Sequence, residues 1–319
     1  MFLQIILFTF VLLFRAAVYA EPYAFQEIWA YVLKGEEKWL KGSEPITDIA
    51  YFSAEVNEIG RLNEGIDLNK IPRAVRYNRR VHLVISVPGN RSLMYWCLSK
   101  DTETRQALIA DILRASKPYD GLQIDFEVIR PEDRHAYWSF LKEIKMGLSK
   151  EKIFSVALPA RTKELQDAFN YSQIAQIADK VLVMAYDEHW RTGPPGAIAS
   201  VNWCEKVCNF SKRTIPENKL VMGIPLYGRV WQKQEVARAL KYFQTLELWK
   251  QHPSVLKRDP DGTAHFEYKQ EVDAVVYYED LQSLSSKIGC YQRNGIQSIG
   301  FWRVSQEPIA VWKTLALKK

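Results

Sequence analysis

Histidine and cysteine are scarce in this chain, five and four among 319 residues. Cys204 and Cys208 are one helical turn apart, but no further histidine or cysteine lies near them to complete a ligand set, so no metal and no cofactor are expected. With Cys97 and Cys290 they allow three disulfide pairings and favour none, which leaves buried free thiols as the expectation. A marked excess of one charge is missing too. Forty-three basic residues face 37 acidic ones, a net charge of +6. Only Arg73, Arg76, Arg79 and Arg80 cluster, and they read as a solvated helix face rather than a nucleic-acid surface. Beyond Ala20 there is no low-complexity linker and no repeat. The remainder, 47% hydrophobic and 25% charged, suffices for a sizeable core.

The apolar run over residues 2–14 is too short for a comfortable membrane span. Ala16, Ala17 and Ala20 follow it, and Val18-Tyr19-Ala20 offers a small-residue cleavage site before Glu21-Pro22. Residues 1–20 are therefore predicted to be an export signal and residues 21–319 a single domain. The signal lacks a basic start and carries Arg15 near the cut; no cysteine follows for a lipid anchor. The expected product is an exported monomer without stable membrane insertion.

Short β-rich runs then alternate with amphipathic helical stretches. Strands are predicted at residues 28–32, 48–53, 81–87, 121–128, 153–158, 180–185, 220–225 and 298–303. Eight such runs with helical connections predict an α/β fold, a (β/α)8 TIM barrel. After the fourth run, Pro131, Glu132 and Asp133 suit a helix start, and Tyr137, Phe140, Leu141, Ile144 and Leu148 recur on one helical face. Residues 232–280 break the rhythm. They predict a small α+β insertion between strands seven and eight, with a helix over 235–250 and a hairpin turn at Asp259-Pro260-Asp261-Gly262.

The stretch Asp120-Gly121-Leu122-Gln123-Ile124-Asp125-Phe126-Glu127-Val128 carries the chemistry. As a strand it puts Leu122, Ile124, Phe126 and Val128 on one face and Gln123, Asp125 and Glu127 on the other. Strands of parallel barrels are covered on both faces, and an ionised carboxylate there is costly unless paired or protonated. Two carboxylates on the inward face, at the C-terminal end where barrel active sites lie, point to catalysis. Their backbone positions differ by roughly 6.5–7 Å and point the same way, so the two can share a proton.

Asp120, Asp125 and Glu127 match the Asp-x-x-Asp-x-Asp-x-Glu signature of glycoside hydrolase family 18, the chitinase and N-acetylglucosaminidase family, which the chain resembles. Gln123 replaces the second Asp, as in the peptidoglycan-directed, spore-cortex-lytic branch. Met184-Ala185-Tyr186-Asp187, Gly223-Ile224-Pro225-Leu226-Tyr227-Gly228-Arg229, Tyr278-Glu279-Asp280 and Gly300-Phe301-Trp302-Arg303 resemble the family's later motifs in order, and Gly193-Pro194-Pro195-Gly196 lies in a loop similar to the peptidoglycan-directed branch. Ser86-Val87-Pro88-Gly89 departs from its third-strand Ser-x-Gly-Gly.

Two carboxylates on one strand cannot readily flank a sugar as in ordinary glycosidases, and family 18 is an exception in which the substrate's acetamide attacks. The resemblance implies that Glu127 protonates the glycosidic oxygen and later activates water, that Asp125 orients the acetamide, and that Tyr186 hydrogen-bonds its carbonyl oxygen. Asp187 and Tyr227 are expected to bind the sugar, Trp302 to form its platform, and Gln123 to support Asp125 by hydrogen bonding. Trp190 and Trp231 are divided between platform and packing, Arg229 between substrate contact and a structural ion pair. His189 reads as an ordinary polar residue and Asp120 as a brace for the strand. The expected function is retaining hydrolysis of β-1,4-linked N-acetylglucosamine through an oxazolinium ion, most simply in a peptidoglycan-type glycan. The alternatives are a chitinase acting on chitin oligomers and a non-catalytic chitinase-like sugar-binding protein.

Overall fold

A computed structural model describes residues 21–318 except 64–66, 88, 101, 233–240, 261–263, 270 and 309. The expected export signal, residues 235–240 of the predicted insertion helix and Pro88 lie outside the described residues.

Eight parallel strands close into a barrel: Glu27–Leu33, Asp48–Glu55, Arg80–Ser86, Gly121–Asp125, Ile153–Pro159, Lys180–Met184, Leu220–Pro225 and Ser298–Trp302. The eighth pairs back onto the first, with Phe301 opposite Ala30. Seven of them lie within two residues of the runs predicted from sequence. The fourth is shorter than predicted. Its ladder ends with Asp125 opposite Ser86, so Glu127 stands two residues beyond the strand. Alternation nevertheless continues. Phe126 is buried outward against Tyr137 and Phe140 of helix Arg134–Gly147, while Asp125 belongs to the inward face.

That helix shows why the outer layer holds. Tyr137, Phe140, Leu141 and Ile144 are all buried, each contributing about 1.5–3 kcal/mol by leaving water. Leu148 caps the helix and is half-buried. Pro131, expected to open it, opens a preceding 3-10 turn, Pro131–Asp133. Inside the barrel a smaller apolar cluster joins Trp29, Tyr31, Ala50, Val84, Leu182 and Val221. The strands' N-terminal end is closed by polar pairing. Asp48 accepts from Arg80 (2.7 Å) and lies 2.8 Å from His82 Nε2. Asp120 accepts from the Val81 N–H (2.8 Å), the bracing role expected of it. Gly121 is required here, because a Cβ would fall 2.1 Å from His82 Nδ1 and 2.8 Å from the Ile153 carbonyl oxygen.

Between the seventh and eighth strands, Arg229–Gln232 pairs antiparallel with Ala274–Tyr277. Helix Tyr242–Gln251 and the antiparallel pair Lys257–Arg258 and Ala264–His265 lie between them. The predicted hairpin thus has its flanking strands, though residues 261–263 of the turn are not described. The helix has no buried residue, so this segment adds little to the core. All four cysteines are buried and free, as expected.

Candidate active site

The C-terminal ends of the strands gather the functional side chains. Asp125, the last paired residue of the fourth strand, is buried, and its Oδ1 has no hydrogen-bond partner. Burial and then the nearby Glu127 carboxylate push its acid up to about 8. Glu127 itself is exposed. Lost hydration at the cavity wall, then the Asp187 carboxylate, raise its affinity for a proton as well. The two therefore form a site that holds a proton near neutral pH.

Gln123 does not support Asp125 directly. Its carbonyl oxygen accepts from the Tyr31 hydroxyl (2.5 Å), and its amide donates to Ser155 Oγ (3.2 Å). Both partners come from other strands, and these two bonds hold the amide between Tyr31 and Ser155. Tyr31 was not foreseen as part of the site. The available signal was an aromatic hydroxyl at an inward position of the first strand, which needs a partner when buried.

Tyr186 follows the sixth strand. Burial, then neighbouring Tyr31 and Asp125, keep its phenol protonated far above the usual range, so it stays a hydrogen-bond donor. Gly223 opens the room beside it: a Cβ there would approach the Tyr186 ring to 3.1 Å and the Val183 carbonyl to 2.7 Å. Trp302 stacks near Tyr186 at 6.5 Å and 28°, and meets Phe52 edge-on at 5.1 Å and Tyr31 at 5.0 Å. The half-buried indole is thus fixed on several sides. Phe52, like Tyr31, escaped sequence reasoning, since it sits in a run that reads simply as core.

Asp187 adopts a left-handed backbone (φ 59°) and accepts from both the Tyr227 hydroxyl and the Arg229 guanidinium. Arg229 is therefore an ion-pair partner of Asp187, and Tyr227 reaches the site through the same carboxylate. Trp231 turns to packing. Its Nε1 donates to the Gly193 carbonyl (3.1 Å) and its ring meets Tyr277. Trp190 remains 57% exposed, with its Nε1 on Thr192 Oγ1. His189 Nδ1 lies 2.9 Å from the Ala197 carbonyl, a loop-bracing contact rather than a second base.

A pair of proton-holding carboxyls beside Tyr186, at the C-terminal end of a parallel barrel, suits a glycosidase. The model of the glycosyl hydrolases family 18 matches residues 15–307. The chain belongs to glycosyl hydrolase family 18. It is a glycosidase related to spore cortex-lytic enzymes. It is 29% identical over 289 residues to the cortical fragment-lytic enzyme of Bacillus cereus, spanning 85% of this chain and 67% of that one. The crystal structure of the Bacillus cereus spore cortex-lytic enzyme SleL superposes with a TM-score of 0.73 at 26% identity, covering 94% of this chain and 76% of that one. A chitinase from Chromobacterium violaceum shares the family fold at 18% identity and a TM-score of 0.70, covering 91% and 97%. Carbohydrate containing N-acetylglucosamine is what membership of family 18 implies as substrate.

Proposed function

We propose that this protein is exported through residues 1–20 and, as a monomer, cleaves β-1,4-linked N-acetylglucosamine in a peptidoglycan-type glycan with retention of configuration. The observation that carries the mechanism is the buried Asp125 carboxyl, unpartnered at Oδ1 and holding a proton beside Glu127. An acetamide N–H from a bound sugar supplies the missing partner. Asp125 then fixes the acetamide, and Tyr186 donates to its carbonyl oxygen, which attacks the anomeric carbon as Glu127 protonates the departing glycosidic oxygen. The ring closes to an oxazolinium ion. Glu127, now deprotonated, takes a proton from the water that opens it, and the configuration is restored. Asp187, held by Tyr227 and Arg229, borders the sugar, and Trp302 lies under its apolar face.

Support for the substrate comes from the relatives, whose names describe lysis of spore cortex, a peptidoglycan-type glycan. Gln123 supports it too, being the amide that the cortex-lytic branch carries in place of the second Asp. Digestion of purified peptidoglycan and chitin oligomers side by side, with mass analysis of the products, tests the proposal. Fragments ending in reducing N-acetylglucosamine from peptidoglycan are expected; turnover of chitin oligomers alone would replace this substrate with chitin.

A further inference from the structure

A cavity of about 330 Å3 opens at the C-terminal ends of the first and second barrel strands, lined by Leu33, Lys34, Phe52, Ser53, Glu55 and Asn63. It adjoins the sugar platform through Phe52, whose ring meets Trp302. On its other side Ser53 accepts from Ser86, and Ser86 is paired with Asp125 in the strand ladder. A sugar next to the reacting one in a glycan chain would enter this space.

The charges around it are unevenly satisfied. Glu36 is taken by Arg303 and Ser305. Glu37 accepts from the Tyr51 hydroxyl and the Gly35 N–H. Lys34, in the same loop, has its backbone N–H on the Phe52 carbonyl (2.9 Å). No ion pair to its ammonium is found among the described residues, and it makes none with Glu55 across the cavity. The backbone is pinned, and an incoming anion would have no internal partner of the ammonium to displace, although ordering the exposed side chain costs about 0.5–1.5 kcal/mol.

We propose that Lys34 reads the carboxylate-bearing substituent of an N-acetylmuramic acid unit adjacent to the cleaved N-acetylglucosamine. Glu55 and Asn63 serve the same sugar's hydroxyl and amide groups. This deepens the peptidoglycan assignment and rests on it. A neutral N-acetylglucosamine polymer has no group for Lys34, whereas an alternating glycan presents a free lactyl carboxylate at each muramic acid that carries no peptide.

The test uses the full chain with Glu127→Gln, which keeps the oligosaccharide intact. Calorimetry compares an alternating N-acetylglucosamine–N-acetylmuramic acid oligosaccharide in its free-acid form with the same compound amidated at the carboxyl. The acid form should bind roughly fivefold more tightly, an advantage that molar salt removes. Lys34→Met should abolish the preference, and Lys34→Arg should keep it. Equal affinities in the parent, or a preference surviving in Lys34→Met, overturns the role of Lys34. Peptidoglycan digestion by the protein with Glu127 intact is scored separately. Failure there with the charge preference present would sink the proposed substrate and leave the cavity's selectivity standing.

Discussion

Asp125 is the last residue held in the ladder of the fourth strand and is buried, whereas Glu127, two positions on, is free of the ladder and open to solvent. The pair thus divides its work by position. In the proposed mechanism the rigid member orients the acetamide, and the looser one follows the glycosidic oxygen and then the water.

Replacing Glu127 by Gln should lower kcat by about a thousandfold or more, within the span of a lost general acid. Because the side chain is exposed and makes no ion pair or hydrogen bond among the described residues, stability should stay within about 1 kcal/mol of the parent. Kinetics and thermal melts on one preparation check both. Retained turnover would remove Glu127 from the chemistry.

Asp125→Asn carries a prediction about pH. The folded protein keeps the Asp125 proton up to about 8. The unfolded chain releases it near about pH 4. The group therefore favours folding fully below the lower value, and that advantage is lost as pH rises through the upper one. The variant should melt several degrees above the parent at about pH 9, and the gap should close at about pH 4. A gap that widened toward acid would contradict the buried, protonated carboxyl.

In the proposed mechanism, Tyr186→Phe removes the donor to the acetamide oxygen. A loss of roughly a hundredfold in kcat, with a much smaller change in KM, is expected of a group that acts mainly on developing charge. A thiazoline mimic of the oxazolinium ion should bind the parent strongly and the variant weakly. Indifference of the parent to the thiazoline would argue against attack by the acetamide.

Gly121→Ala should cost about 3 kcal/mol, the cost of forcing a methyl group into a packed wall. The obstacle is the Ile153 backbone and the His82 ring, itself held by Asp48, so neither can move away cheaply. Urea unfolding measures it, and a neutral result would mean that the lower barrel is more loosely packed than described.

Strand positions were legible from sequence because parallel strands covered on both faces leave nearly continuous apolar runs, and their register follows from closing the barrel. The end of the fourth strand was not legible. Phe126, Glu127 and Val128 continue the alternation, yet hydrogen bonding stops at Asp125, and a two-residue pattern does not report where a ladder stops. Asp125, Glu127, Tyr186 and Trp302 stood out as polar or aromatic residues at strand ends. Their partners did not. That Gln123 would answer to Tyr31 and Ser155, or that Asp187 would collect both Tyr227 and Arg229, depends on contacts 32 to 92 residues apart along the chain. No local periodicity encodes such contacts.

Arg229 closes one further circuit. It grips Asp187 with its side chain, and with its backbone it begins the ribbon that zips against Ala274–Tyr277. The outlying lobe is thereby tied to Asp187 through this residue. Trimming that lobe would not simply remove an ornament; it would slacken the rein on Asp187, and the damage would register as poorer grip on substrate before any change in the barrel itself.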